Sequence, residues 1–289
     1  MKLVTFQCRG YQSIGKIEGN QVIDLPASDR SLPGTMLELL QGGAALMQRA
    51  QAIRLADAVT YPLADVRLDA PVPNPSKFLA IGMNYRRHVE EAKAAGIQVP
   101  DSQVWFNKQV SCVNGPFDPV HMPKASDKLD YEAELGVVIG RRCRHVSEAD
   151  AASVIAGYVV CNDVSVRDWQ MRSPTMMLGK SFNTHGPFGP WLVTPDEIAD
   201  PHALQLRMIV NGETRQSVST GEMIYNIWQQ IAYLSTVMTL EPGDVLATGT
   251  PSGVGAASKP PRFLGVGDVM RVEIDGVGHI ENVVVVEPV

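Results

Sequence analysis

Glu132 and Glu134 stand two residues apart in Leu129-Asp130-Tyr131-Glu132-Ala133-Glu134-Leu135-Gly136-Val137-Val138-Ile139-Gly140, and an apolar, strand-like tail follows them. Side chains two apart in a β-strand project from the same face, so both carboxylates would point together. Two anions side by side at core depth repel and lose hydration, a cost that a bound cation removes. A second apolar run, Gly157-Tyr158-Val159-Val160-Cys161, ends in Asn162-Asp163 and brings a third carboxylate to a strand end. Three oxygen donors converging on one point suit Mg²⁺ or Mn²⁺. The plainer alternative is a solvated strand face.

Other segments supply groups that would act beside such a cation. His88 and Glu91 are three apart in a run that reads as helix, so they share a face. A carboxylate on one imidazole nitrogen sets the tautomer and raises the basicity of the other, which makes a water-activating dyad. A surface i,i+3 pair is the competing reading. Lys180, in Leu178-Gly179-Lys180-Ser181-Phe182-Asn183-Thr184, is placed to neutralise a carboxylate or a developing enolate. Its Gly-Lys-Ser is no phosphate loop, because Pro174 stands where the leading glycine is required.

The run Val245 to Gly255 reads as a strand entering a hydroxyl- and glycine-rich loop. Its amides could form an anion nest, and Thr250 could donate to a carboxylate. Gly253-Val254-Gly255 is not a dinucleotide fingerprint, since Ser258 replaces the third glycine and Lys259-Pro260-Pro261 forbids the following helix. Arg167-Asp168 reads as a structural ion pair, and Gln170 as an amide donor to a substrate oxygen or an ordinary polar contact.

The elements that must position these groups are mostly strands. Ser13–Glu18 and Gln21–Leu25 alternate around Gly19-Asn20 as a hairpin. A helix is expected from Thr35 to Arg54, weakened at Gly42-Gly43. Ala70-Pro71-Val72-Pro73-Asn74-Pro75 reads as a stiff linker that closes a small domain of residues 1–70 and opens the main domain, 71–289. Lys77–Gly82 is a strand feeding a helix from Tyr85 to Ala95, with Asn84 as N-cap and Gly96 as stop. Ile224, Ile227, Ile231, Leu234 and Met238 make one apolar stripe on a helix from Glu222 to Thr239. The last strands are Val269–Ile274 and His279–Val286, joined through Asp275-Gly276.

Composition bounds the rest. A chain of 289 residues with 45% apolar content holds a sizeable core, and a net charge of −6 without a basic block excludes a nucleic-acid binder. Cys8, Cys112, Cys143 and Cys161 are scattered, with no metal-binding pair. No apolar run approaches membrane-spanning length, and Met1–Phe6 is too short for a signal peptide. A cytoplasmic location is expected, with no membrane partner.

Taken in order, these segments resemble the fumarylacetoacetate hydrolase family from about Lys77 to the C-terminus. The carriers are Ile81-Gly82-Met83-Asn84-Tyr85 with His88 and Glu91, Asp130 to Leu135, Asn162-Asp163 with Arg167-Asp168 and Gln170, Gly179-Lys180-Ser181-Phe182, and Thr248 to Gly255. The resemblance implies an α+β, β-rich fold, a mixed β-sandwich roll with a small N-terminal α/β appendage, and a homodimer. It implies that Glu132, Glu134 and Asp163 bind Mg²⁺ or Mn²⁺, and that His88 with Glu91 activates water. Lys180 would act in catalysis, and Gln170, Thr250, Tyr85 and Gly249 in substrate binding.

The implied partner is a small oxo acid. The expected reaction is cleavage of a C–C bond in a 2,4-dioxo acid, such as fumarylpyruvate, maleylpyruvate or a diketo-deoxy sugar acid, to pyruvate and a carboxylic acid. Oxaloacetate decarboxylation, or isomerisation or tautomerisation of an oxo acid, is the alternative on the same site; a non-catalytic oxo-acid-binding protein is the alternative of another class. The chain departs from the family's pattern at Asn183-Thr184-His185-Gly186. His185 is expected either as a packing residue or, titrating near neutrality, as a selector of anionic acyl tails. Ala95 to Phe106 and Ser111 to Asp127 are expected to shape the tail pocket.

Overall fold

The apolar strands form one long sheet because their neighbours in space come from distant parts of the chain. A computed structural model describes residues 1–289 apart from Ala95, Ile97 and Val289. Its main sheet runs from Thr60–Pro62 at one edge through Gln21–Asp24, Tyr11–Glu18 and Lys2–Cys8. It continues through Gly186–Val193, Ile155–Asn162, Ala133–Ile139, Val245–Ala247 and Phe78–Gly82 to Val104–Lys108. The sheet is mixed: Val245–Ala247 lies parallel to Phe78–Gly82, while Ala133–Ile139 is antiparallel to both of its neighbours. The first strands thus join the main sheet through Lys2↔Val193 and Leu3↔Leu192. A second sheet of five strands is ordered Glu213–Ser219, Gln205–Val210, Val269–Ile274, Gly278–Val286 and Val120–Met122.

Strand Ala133–Ile139 is buried on both faces, which is why it reads as an almost continuous apolar run. Ala133, Leu135, Val137 and Ile139 face one core, shared with Leu206, Met208, Met270, Val272 and Ile280 of the second sheet. Val138 faces the other, with Val159, Cys161, Phe78, Phe106 and Leu39. Glu134 belongs by parity to the second face, and Cys161 lies directly opposite it.

Several expected elements form with altered bounds. Gly43 adopts φ +62 and divides the expected helix into Met36–Gln41 and Gly43–Ala52. The proline run at 70–75 is a strap held on the core, with Ala70 and Val72 buried and the Pro71 carbonyl accepting from Thr5 Oγ1 at 2.7 Å. The apolar stripe forms helix Ile227–Val237, later than expected because Asn226 and Gln229 make a capping box. Ile224 lies before that helix. The helix after Gly82 spans Arg86–Ala94; its expected end at Ala95 lies outside the described residues. Asn84 does not cap it. Its Nδ2 donates to Tyr225 O at 3.0 Å and Thr248 O at 2.8 Å, and its Oδ1 accepts from Tyr225 N at 2.8 Å. Among the described residues no helix is long and apolar enough to cross a membrane.

Candidate active site

The acidic trio is assembled by strand register. Ala133 pairs with Asn162 and Glu134 with Cys161, and the ladder extends one step further as Asp163 N donates to Glu132 O at 2.9 Å. Period two then places Glu132, Glu134 and Asp163 on one side of two adjacent strands. One carboxylate oxygen from each lies within 4.8 Å of the others, and all three residues are buried. Three hard oxygen donors at this separation fit a Mg²⁺- or Mn²⁺-sized ion. A cation already bridges two of them, since Lys180 Nζ lies 2.5 Å from Glu132 Oε2 and 2.8 Å from Asp163 Oδ2.

The three carboxylates differ in charge state because their partners differ. Burial pushes Glu132 up, but Lys180 and Arg167 outweigh it and bring the carboxyl down to about 2. Glu134 has no cation of its own; its Oε2 accepts only from Gly249 N at 2.7 Å. Burial, with Asp163 and Glu132 beside it, holds that carboxyl well above the usual carboxylate range. Metal binding requires the carboxylate, so metal uptake should release a proton from Glu134, and affinity should rise with pH until Glu134 is ionised in the metal-free protein. Titration calorimetry with Mn²⁺ in two buffers of different ionisation enthalpy measures this. Proton release should approach one per metal below that pKa; none across the pH range would contradict the assignment.

Two cations of the site were not assigned to it from the sequence. Lys108, at the end of strand Val104–Lys108, is fully buried and donates to Asp163 Oδ1 at 2.7 Å and to the carbonyl of Lys180. Burial alone would lower its pKa, but Asp163, together with Cys112 and Glu132, outweighs it and the ammonium keeps its charge. Arg167 does not pair with Asp168, since adjacent helical residues do not face each other. Its Nε donates to Asp130 Oδ2 at 2.8 Å and its Nη1 to Glu132 Oε1 at 2.7 Å and Gln170 Oε1 at 2.9 Å. Its Nη2 is buried without a partner. Lys180 ends a one-turn helix, Met177–Lys180, packed so closely on Gln170 that a Cβ at Gly179 would lie 2.2 Å from Gln170 N.

Of these groups Glu132, Arg167, Gln170 and Lys180 line a cavity of about 390 Å³, and Glu134, Asp163 and Lys108 are off its wall. His88, Glu91, Glu132, Arg167, Gln170, Lys180 and Thr250, each named from sequence except Arg167 in this role, all lie on its wall. His88 Nδ1 meets Glu91 Oε2 at 3.1 Å, and Glu91 Oε1 accepts from Gly253 N at 3.1 Å. The dyad is thereby fixed at both ends of the carboxylate. Thr250 Oγ1 accepts from Gln216 Nε2 at 2.9 Å, which leaves its own proton for the cavity.

Other expected residues lie elsewhere. Gly249 is off the cavity wall with its N–H on Glu134; at φ +107, and with a would-be Cβ 2.7 Å from Asn84 Cβ, only glycine fits there. Tyr85 is also off the wall, buried with a partnerless hydroxyl beside Glu134. The glycine-rich loop does bind an anion, but a protein one: Gly255 N and Ala256 N donate to Asp130 at 2.8 and 2.9 Å. The 111–127 segment contributes nothing to the cavity, whereas Val104 and Phe106 do.

His185 is a packing residue. It is fully buried off the cavity, with Nε2 at 2.8 Å from the His121 carbonyl and its ring 5.5 Å from Phe182. Burial lowers its pKa from 6.5 to about 3, so it carries no charge near neutrality. Unfolding frees it to take a proton, so its contribution is present above pH 6.5 and is lost as pH falls toward about 3. Between pH 6.5 and 5 the loss should be about 2 kcal/mol. Urea unfolding of the metal-free protein at pH 7.5 and 5 reads it, and His185→Gln should remove that increment. An unchanged pH slope in the variant would contradict the buried, neutral assignment.

The family described as fumarylacetoacetate hydrolase, C-terminal, matches residues 77–285. An oxaloacetate tautomerase, mitochondrial, of Xenopus laevis is 43% identical over 99% of this chain and 90% of its own length. Fumarylacetoacetate hydrolase from the psychrophile Exiguobacterium antarcticum is 36% identical with a TM-score of 0.88, covering 99% of this chain and 100% of that one. Maleylpyruvate hydrolase from Sphingobium sp. SYK-6, solved with manganese(II) and pyruvate, is 32% identical with a TM-score of 0.83, covering 100% of both chains.

Proposed function

The chain belongs to the fumarylacetoacetate hydrolase family, and we propose that it moves a proton at the enolisable carbon of a 2-oxo acid, with oxaloacetate, taken between keto and enol forms, as its simplest substrate. The observation that carries this reading is one cavity holding a fixed base, His88–Glu91, together with the cations Lys180 and Arg167 at the acidic trio. A divalent metal, Mg²⁺ or Mn²⁺, held by Glu132, Glu134 and Asp163, supplies Lewis-acid polarisation of the 2-oxo group when bound.

The chain's own residues do the rest. Arg167 Nη2, the one nitrogen of that guanidinium without a partner, takes the substrate carboxylate. With its Nδ1 proton on Glu91, His88 presents Nε2 as the base that accepts the proton from C3. The C3–H electron pair becomes the C2–C3 double bond, and the carbonyl pair moves onto the 2-oxygen, where the Lys180 ammonium offsets the charge and donates a proton. Gln170 and Thr250 supply further donors to the oxo acid.

A second reading has its own support. The cavity, about 390 Å³, is larger than a four-carbon acid needs. The same base can activate water toward the 4-carbonyl of an acylpyruvate, giving pyruvate and a carboxylic acid, and the Sphingobium relative is named a hydrolase of maleylpyruvate. Following enol absorbance and pyruvate release together separates the two. Fast interconversion of oxaloacetate forms without pyruvate supports tautomerisation, pyruvate formed in step with acylpyruvate loss supports hydrolysis, and neither with Mg²⁺ or Mn²⁺ present overturns both.

A further inference from the structure

The cavity is chemically lopsided. Arg167 and Lys180 hold Glu132, Gln170 bonds to Arg167, and Thr250 and the His88–Glu91 pair complete the polar lining. The rest of the wall is apolar, formed by Ile81, Val104, Phe106, Met171, Met176 and Val254 among others. A second chamber of about 240 Å³ adjoins it, lined by Val89, Val99, Pro100, Asp101, Ile224 and Tyr225 among others. Gly82, Met83 and Val104 line both spaces, so Met83 stands in the partition between them.

Met83 is held there with little freedom. It follows the last residue of strand Phe78–Gly82, and the next residue, Asn84, is tied by three hydrogen bonds to Tyr225 and Thr248. Its φ is +57, a left-handed conformation that is strained for a non-glycine residue. That strain directs one flexible, apolar side chain into the boundary of both spaces.

We infer that the chamber behind Met83 receives an uncharged, apolar substituent of the oxo acid, and that Met83 selects it. The inference rests on the reading of the charged end as the oxo-acid site. Among the described residues, Arg167 and Lys180 are the only lysine or arginine side chains lining either space. Most of their donors face Glu132, Asp163, Asp130 and Gln170, and what is left, Arg167 Nη2 and the third Lys180 N–H, lies beside Glu132, where the oxo-acid head binds. A second carboxylate in the chamber behind Met83 would be desolvated with no lysine or arginine beside it, and Asp101 would repel it. An alkyl tail meets matching surface there, and each buried methylene is worth about fourfold in affinity.

Two probes of equal chain length test this by binding alone: 2-oxohexanoate, ending in a methyl group, and 2-oxohexanedioate, ending in a carboxylate. Calorimetry with the Mn²⁺-saturated protein should give at least about tenfold tighter binding of 2-oxohexanoate. Met83→Arg should reverse the order. Met83→Ala, which enlarges the opening without adding charge, should strengthen 2-oxooctanoate relative to 2-oxobutanoate beyond the wild-type ratio. Equal or tighter binding of the dicarboxylate by the wild type overturns the inference, as does a Met83→Ala ratio equal to the wild-type ratio. Turnover of oxaloacetate, measured on the same preparation, decides the catalytic reading separately. A protein that turns over oxaloacetate yet shows no tail preference keeps its function and loses this specificity.

Discussion

Chelation is expected to abolish turnover of the 2-oxo acid, and Mg²⁺ or Mn²⁺ to restore it. The acidic trio gives the reason: three buried carboxylates lie within 4.8 Å of one another, and Lys108, Lys180 and Arg167 pair with Glu132 and Asp163 but leave Glu134 without a cation. The informative variant is Glu134→Gln. Glu132 and Asp163 each hold buried cations, so removing either leaves unpaired charge and destabilises the fold by about 3–5 kcal/mol. Glu134 holds none, and burial already favours its neutral form, which glutamine copies. The variant should therefore unfold like the wild type when metal-free. It should bind Mn²⁺ more than about a hundredfold more weakly, because outer groups alone are worth 10–100-fold. Unchanged Mn²⁺ affinity, or full activity in metal-free buffer, would contradict the metal assignment.

His88→Ala is expected to lower kcat by about two to four orders of magnitude, the usual range for a general base, while Mn²⁺ affinity stays at the wild-type value. Glu91→Gln should fall less. The amide still accepts from Gly253 N but no longer fixes the imidazole as an anion does. The two readouts together separate a base from a structural residue. Near-normal kcat in both variants would place the proton acceptor elsewhere on the cavity wall.

What the sequence revealed follows from the range of each signal. Glu132 and Glu134 were legible because strand period is local, and His88 with Glu91 because helix period is local. Asp163 was legible as a carboxylate ending an apolar run, although its register against Glu132 depends on pairing between remote strands. Lys108 gave no sign. Nothing in Phe106-Asn107-Lys108 marks a buried lysine, and its partner Asp163 comes from another strand. Arg167 misled because its sequence neighbour Asp168 looked like its partner, while the real partners, Asp130 and Glu132, are far back in the chain.

The glycine-rich loop was read correctly as an anion nest, but its occupant, Asp130, is set by tertiary contact and not by the loop. Asn84 had the residue type and position of a cap, yet its amide serves Tyr225 and Thr248 across the fold. Helix limits failed where one residue decided them, at Gly43 and at the Asn226–Gln229 box. The family resemblance supplied the roll topology, which periodicity does not contain.

The most direct test of proton movement at the enolisable carbon uses a 2-oxo acid that enolises slowly by itself. In deuterated buffer, 2-oxobutanoate is followed by proton NMR at C3 with protein and Mg²⁺. Exchange of the C3 hydrogens should be fast with the complete system, and should fall to the background rate with chelator or in His88→Ala. Retention of the C3 hydrogens by the wild-type, metal-saturated protein, or exchange equally fast without metal and without His88, would contradict the account.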